Sequence, residues 1–445
     1  MNPDLLSLAG DAIARAKKFG ATAADALAVD QRGIDVSVRD GIVEKLEQAE
    51  AREVGIRAFI GARSAIIAGS VLDPEGLDRL ARSAVEMAKS ARPDPHAVLA
   101  GRNEQAREIP DLDLAAPAAI AAGELRSQAL AAEKNALAVR GVSKSGGADA
   151  SYSDRTVALA TSEGFAASYR GTYCSISASA VAGDGTGMER DYDFSSAHSA
   201  SQLESAEAIG KSAGERAVRR LNPRKIKSQT LPVIYDPRIA SSLVGHLLGA
   251  ALGSSIAKGT SFLKDRLGDR LFRKGVSIID DPLRKGGLAS RPFDAEGLAA
   301  RRFTLIDDGV LMGWLLDLRS ASQLGLASNG CASRGLSSPP SPSASNAYLA
   351  PGDATPEDLI RNIAQGLYLT ELIGSGVNIV TGDYSRGASG FWIENGEIAF
   401  PVSEITIAGN LNDMFLNLTP ASDLEFRRSI NAPTCLIDQM TVGGV

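Results

Sequence analysis

Residues 25–70 read DALAVDQRGIDVSVRDGIVEKLEQAEAREVGIRAFIGARSAIIAGS, and how they are read sets the fold. Strand-like runs at 25–31, 34–39, 43–51, 53–60 and 63–70 are short and separated by Arg-Gly, Asp-Gly and Gly-Ala turns. An amphipathic helix precedes them. Asp4 can cap it, Leu5, Ala9, Ile13 and Ala16 fall on one face, and Lys17, Lys18 and Gly20 suit its end. After residue 70 the period changes: Asp73 and Pro74 supply a cap and a first helical residue, and Leu77, Leu80, Ala84 and Met87 return every three or four positions.

The same grammar recurs. An alanine-rich helix at 117–138, strands around 149–183 and 189–194, and a helix on Ala206, Ile209, Ala213 and Ala217 repeat the order helix, strands, helix. Periods agree while residue identities barely do, which predicts a duplication at the level of structure. The basic cluster Arg216, Arg219, Arg220, Arg224, Lys225 and Lys227 then reads as a solvated helix end followed by a linker. Beyond it the pattern turns to hairpins: Asp308-Gly309 and Asn395-Gly396 are dipeptides that a type I′ turn requires, each between strand-like runs (301–307 and 310–317; 389–394 and 397–402). The segment SSPPSPSAS at 337–345 reads as an exposed loop. The expected fold is α+β, with a duplicated N-terminal domain over 1–225 and a β-rich C-terminal domain with antiparallel hairpins over 226–445.

A chain of 445 residues exceeds one ordinary core, and its 44% hydrophobic and 22% charged residues are those of a folded globular protein. The net charge of −6, with basic residues dispersed, disfavours nucleic acid. Cys174, Cys331 and Cys435 are widely spaced and odd in number, which fits neither a disulfide framework nor a metal knuckle and implies a reducing compartment. Asp4, Asp11 and Arg15 interrupt residues 1–18, so no leader core is read there, and no run approaches the roughly 18 apolar residues of a membrane span. A soluble, cytoplasmic chain is expected.

Candidates for chemistry are few. His96 and His198 read as surface histidines. His246 lies on a helix read over 236–257, begun by Asp236-Pro237, with Leu243, Leu247, Leu248 and Leu252 on its apolar side. Helical zinc peptidases place two histidines about one turn apart with a glutamate beside the first, because the metal needs convergent imidazoles and its water needs a base. Here Ser241 and Ser242 precede a single His246, and a lone imidazole does not hold zinc firmly. Ser242 and His246 are four apart, yet no oxyanion hole or orienting acid accompanies them. The glycines at 183, 185 and 187 join two strand patterns and read as a turn. Spacing alone indicates neither a catalytic residue nor a metal site.

Four segments carry a resemblance: YDPRIASSLVGHLLGA (235–250), KGTSFLKDRLGDRL (258–271), DDPLRKGGLASRPFDAEG (280–297) and GVNIVTGDYSRGASGFWIENGEIAFPVSEITIAGNL (376–411). They resemble the TldD/PmbA family. DPEGLDRLARSAVEMAK (73–89) and MERDYDFSSAH (188–198) extend the likeness into the first half. In the TldD branch the corresponding helix carries a His-Glu-x-x-x-His zinc motif, with a cysteine further along as third ligand. Laid on this chain, the motif falls on Ser241, Ser242 and His246; the segment carrying the cysteine is missing between Leu424 and Ala432, and Cys435 lies after it on an apolar strand. That departure resembles the PmbA (TldE) branch, whose members lack the motif.

The resemblance implies a heterodimer in which a TldD-type subunit supplies zinc and this chain helps enclose a chamber, or a homodimer when the chain is alone. Family substrates are peptides and unstructured polypeptides, such as modified microcin precursors and an antitoxin; the older label, modulator of DNA gyrase, is an indirect genetic description. The leading expectation is therefore a non-catalytic, substrate-enclosing subunit of a metallopeptidase, holding extended peptides at sheet edges, with residues 389–402 and 404–409 as candidates. The rivals are an independently active hydrolase and a stand-alone binding or regulatory homodimer.

Overall fold

In the computed structural model, which describes residues 4–444, two copies of one unit build a single sheet. Met1 to Pro3, part of the segment searched for a leader core, lie outside the described residues. Copy one is α1 (Leu5–Lys18), β1 (Ala23–Arg39), β2 (Ile42–Ile60), β3 (Arg63–Gly69) and α2 (Pro74–Ser90). Copy two is α3 (Ala122–Leu137), β4 (Val142–Thr161), β5 (Ala166–Ala182), β6 (Glu189–Ala197) and α4 (Ala206–Arg219). The strand order β3-β2-β1-β4-β5-β6 mirrors itself about the central antiparallel pair of β1 and β4.

The strands are longer than the local signals indicate. Arg32-Gly33 is not a turn: β1 continues through it because Gly33 is paired with Ala49 on one side and Ser153 on the other. Likewise β2 joins the two runs read at 43–51 and 53–60. The chain reverses at Asp40-Gly41, where φ is 52° and 74°, the left-handed values a tight hairpin needs. Asp73 caps α2 by accepting the Gly76 N–H at 2.6 Å, a bond worth about 1 kcal/mol. Asp4 occupies the corresponding position of α1, but its side chain makes no capping bond.

All four helices cover one face. Ala24, Ala26, Ala28, Val54, Ile56 and Ala58 lie under α1 and α2, and Ala148, Ala150, Cys174, Ile176 and Ala178 lie under α3 and α4. Small residues let α3 and α4 approach closely: a Cβ on Gly210 would collide with the carbonyl of Ala132, and one on Gly214 would stand 2.8 Å from that of Ala136. The opposite face is apolar only at its centre, where Leu27, Val157 and Leu159 meet Phe293 and Leu336 of the C-terminal half.

That half is β-rich. It contains β7 (Gln229–Tyr235), α5 (Pro237–Ala250), α6 (Gly253–Lys258), β8 (Ile278–Asp280), β9 (Phe303–Asp307), β10 (Val310–Leu311) and α7 (Leu318–Leu324). Next come β11 (Ala332–Ser333), β12 (Ser341–Pro342), β13 (Ala347–Leu349), α8 (Pro356–Arg361) and β14 (Gln365–Val377). The chain ends with β15 (Asp383–Glu394), β16 (Glu397–Asn410), α9 (Leu411–Leu416), β17 (Leu418–Pro420), β18 (Ile430–Asn431) and β19 (Cys435–Gly443). Hairpins turn at Asp308-Gly309 and Asn395-Gly396, all four residues at positive φ. One sheet runs β16-β15-β14-β7-β19-β17, and because β16 also pairs with β19 it closes on itself. A smaller sheet runs β10-β9-β8-β13-β18, and α5 packs between the two, burying Leu243, Val244, Leu247 and Leu248.

Several expectations are corrected here. The helix read over 236–257 is two helices, because Leu252 bridges to Leu315 and Gly253 donates its N–H to the Leu315 carbonyl at 2.8 Å. The strand read at 310–317 shortens to β10. Residues 337–345 are not simply an exposed loop: Pro340, Pro342 and Ser345 are buried, and Ser341 and Pro342 pair with Ser333 and Ala332. The basic cluster is not solvated as a whole. Arg220 is buried against Glu189, Asp191 and Glu371, while Arg219 and Arg224 stack on Phe391 and Phe400. The edge at 404–409 is largely taken, since Thr406 to Ala408 pair with residues 441–443 of β19 and Val402 bridges to Arg224.

Candidate functional site

Helix α5 presents the positions that a zinc motif would occupy. Asp236 starts it, accepting the Arg238 N–H at 3.0 Å, and Tyr368 donates its hydroxyl to the same carboxylate at 3.0 Å. Ser241 and Ser242 follow one turn later, with their hydroxyls turned back onto the helix: Ser241 donates to the Arg238 carbonyl at 3.4 Å and Ser242 to the Ile239 carbonyl at 2.6 Å. His246 stands edge-on to Tyr384, and its Nε2 is buried without a hydrogen-bond partner. Burial lowers the pKa of His246, and the positive charge of Arg386 lowers it further.

These groups do not fit zinc. Two hydroxyls committed to carbonyls and one imidazole facing a guanidinium charge replace two imidazoles and a carboxylate. No group of three or more His, Cys, Asp or Glu that could hold a metal occurs among the described residues. Nor do Ser242 and His246 form a nucleophile and base, because the Ser242 hydroxyl is spent on Ile239. Cys435 is fully buried on β19, its thiol against the Pro433 carbonyl at 3.2 Å, and burial pushes its pKa up, which suits a packed thiol and not a metal ligand.

A cleft of about 200 Å³ opens at the start of α5, where Ser241 meets Arg238, Arg427 and Arg428. The two consecutive arginines lie in the short segment between Leu424 and Ala432 and stack on Phe194 at 5.4 and 4.7 Å from its centroid. Arg238 bonds Asp191 at 2.8 Å and lies over Tyr192. The cleft carries charge of both signs, the arginines facing Asp236, Asp423 and Glu425 around Phe194, so it offers donors and acceptors to the backbone of a polypeptide. The sequence reading missed these arginines; the adjacent pair Arg427-Arg428 just before β18 was the local signal.

The other histidines divide. His96 is at the surface, its Nδ1 2.9 Å from the Ser322 hydroxyl. His198 is buried, contrary to the surface reading, with Nδ1 2.5 Å from the Thr172 carbonyl oxygen and Nε2 3.1 Å from that of Gly287. It ties copy two to the C-terminal half. The glycines at 183–187 form a short turn between β5 and β6, as read.

Comparison with known proteins gives matches along the chain. Three family descriptions match: PmbA/TldA metallopeptidase domain 1 over residues 24–88, the central domain over 109–221 and the C-terminal domain over 228–444. The chain is 38% identical over 415 residues to Metalloprotease PmbA of Escherichia coli O157:H7, covering 93% of this chain and 90% of that one. A Bacteroides thetaiotaomicron protein described as a modulator of DNA gyrase superposes with a TM-score of 0.91 at 25% identity, covering 99% of this chain and 98% of that one. TldE from Thermococcus kodakarensis shares the fold, with a TM-score of 0.87 at 22% identity over 98% of this chain and 100% of that one.

Proposed function

The chain belongs to the TldD/PmbA metallopeptidase family, in its PmbA branch, and from that premise we propose that it is the zinc-free, substrate-enclosing subunit of a two-subunit metallopeptidase. The observation that carries this reading is the α5 constellation, where Ser241, Ser242 and His246 stand at the degenerate motif positions beside Arg386. Zinc belongs to a TldD-type partner, with which this chain forms a heterodimer, and the chain pairs with itself when that partner is absent. Its substrates are peptides and unstructured polypeptides. The arginine-lined cleft at the start of α5 offers donors to such a chain. With most of the edge of β16 taken, and the Tyr192 and Phe194 backbone groups of β6 already bonded to side chains, the edge strand β3 of the large sheet is better placed to hold extended peptide.

The division into 1–225 and 226–445 is supported by family matches that end at 221 and resume at 228. A cytoplasmic location is supported by three free, buried cysteines, and no helix among the described residues is long and apolar enough to cross a membrane.

Co-expression with a TldD-type chain, size exclusion and a peptide-cleavage assay test the proposal. Co-elution with cleavage that needs both chains is expected, as is no stoichiometric zinc on this chain alone. One equivalent of zinc lost in His246→Ala would overturn the zinc-free assignment. Separate elution, with the TldD-type chain equally active alone, would favour a stand-alone binding or regulatory homodimer instead.

A further inference from the structure

A second cleft, remote in sequence from α5, lies where the bare face of the large sheet meets the C-terminal half. Its volume is about 110 Å³, room on the order of several water molecules and far below that of a nucleotide site. One wall is apolar, from Leu27, Val157, Leu159 and Phe293. Three arginines contribute to the rest: Arg155 on β4, Arg291, and Arg334 just after β11.

Arg334 is the decisive group. Its side chain is wholly shielded, and its Nη1 is committed to Asp25. Its Nε and Nη2 are buried without any hydrogen-bond partner. These two atoms share one edge of the guanidinium, the edge that takes a carboxylate side-on through two parallel bonds. Arg170 uses that same edge on Asp154, with both bonds at 2.8 Å. Arg291 adds another unpartnered buried Nε, its Nη2 being held by the Ser343 carbonyl at 3.2 Å. Buried donors left unmade are costly, so the arrangement is that of a site whose acceptor arrives from outside.

The one carboxylate in the lining does not supply that acceptor. Asp294 Oδ1 accepts the N–H groups of Glu296 and Leu298, both at 2.9 Å, and Oδ2 accepts that of Ala332 at 3.1 Å, so both of its oxygens are engaged by backbone. Tyr169, edge-on to Phe293 at 5.4 Å, lines the same cleft, and burial raises its hydroxyl pKa while the charges of Arg155 and Arg291 draw it back.

We propose that this cleft binds a carboxylate borne on a short apolar stem, the carboxylate taken by Arg334, Arg291 and Arg155 and the stem laid on Leu27 and Phe293. The group comes either from a free small carboxylic acid or from the C-terminus of a peptide. The site is independent of the role assigned to α5, so its test does not require a partner subunit.

Isothermal titration of the full chain with isovalerate, with isovaleramide as the neutral isostere, reads the site directly. Isovalerate is expected to bind at millimolar concentration and isovaleramide not to bind. Arg155→Gln, at an exposed position where folding is preserved, should weaken binding about tenfold, as should Arg291→Gln. Two tripeptides ending in leucine distinguish the sources: binding of the free-acid peptide and not of its amide assigns a chain end, whereas binding of isovalerate alone assigns a free acid. Binding of isovaleramide as tightly as isovalerate, indifference to both substitutions, or no binding of any carboxylate would overturn the proposal.

Discussion

The two copies of the helix, strands, helix unit share one sheet, yet they are fastened to the C-terminal half by different physics. Copy one is held through a dry cluster. Asp25, 1% exposed, lies between Arg57 and Arg334, both shielded, and the Leu336 backbone lies against Gly55, where any Cβ would collide. Copy two is held through a larger and wetter network, in which Arg220 meets Glu189, Asp191 and Glu371, Arg238 meets Asp191, and Arg427 meets Asp193 and Glu204. In a shielded cluster every charge leans on the one or two partners it touches; in a wetter network loss of one member is shared. Similar units therefore carry junctions of very different fragility.

Asp25→Ala should have the largest effect. It strands two buried guanidinium groups, one of which already has an unpartnered edge, and the expected loss is about 3–5 kcal/mol in the first urea transition. A loss below about 1 kcal/mol would show that the cluster is hydrated after all. Next comes Gly210→Ala, inside copy two and away from both junctions. The added methyl meets the Ala132 carbonyl, which is backbone and cannot step aside, so about 2–3 kcal/mol is expected from thermal or urea unfolding. Arg220→Ala tests the wetter junction. Asp191 keeps Arg238 at 2.8 Å, and Glu371 is partly exposed, so about 1–2 kcal/mol is expected, clearly less than at Asp25. If the order of Asp25 and Arg220 reverses, the contrast between the two junctions is wrong.

The same contrast explains what the sequence made legible. Helix periods, the Asp73 cap and the dipeptides Asp40-Gly41, Asp308-Gly309 and Asn395-Gly396 act within a few residues, so a linear reading sees them. The duplication was visible for the same reason, as a repeated order of periods. Closure of the C-terminal sheet was not, since β7 with β14 and β16 with β19 pair residues far apart in the chain, and nothing local marks a partner. Arg220 was misread as solvated because its partner Glu371 is 151 residues away. Residues 337–345 were misread because a Ser- and Pro-rich composition describes side chains, whereas Pro340 and Pro342 are buried and Ser341 and Pro342 pair through backbone. At α5 the register of Ser241, Ser242 and His246 followed from helical spacing and the family likeness. Arg386, the charge that opposes metal there, lies 140 positions beyond His246, and no motif pointed to it.

The smallest expected effect is a pH slope, and it separates two carboxylates that both face Arg57. At Asp25 burial pushes the pKa up, but Arg334 and Arg57 outweigh it and the value falls below its ordinary 3.8. Its contribution to stability is present above that value and is lost only as pH falls through the lower folded one. At Glu296 burial and the neighbouring Asp294 win over the attraction of Arg57, and the pKa is pushed up to about 8. The folded protein then binds a proton there that the unfolded chain, with an ordinary value of 4.5, has already released. Glu296 therefore lowers stability as pH rises from 4.5 to about 8, the opposite sign to Asp25. Glu296→Gln fixes the neutral form and keeps an acceptor for the Leu318 N–H, now 2.8 Å from Oε2. The variant should melt within about 1 °C of the parent near pH 5 and a few degrees above it near pH 8, as followed by circular dichroism. Equal melting temperatures at both pH values would mean that Arg57 holds Glu296 ionised, and the junction would then set two carboxylates against the two guanidinium groups of Arg57 and Arg334 instead of one carboxylate and a neutral acid.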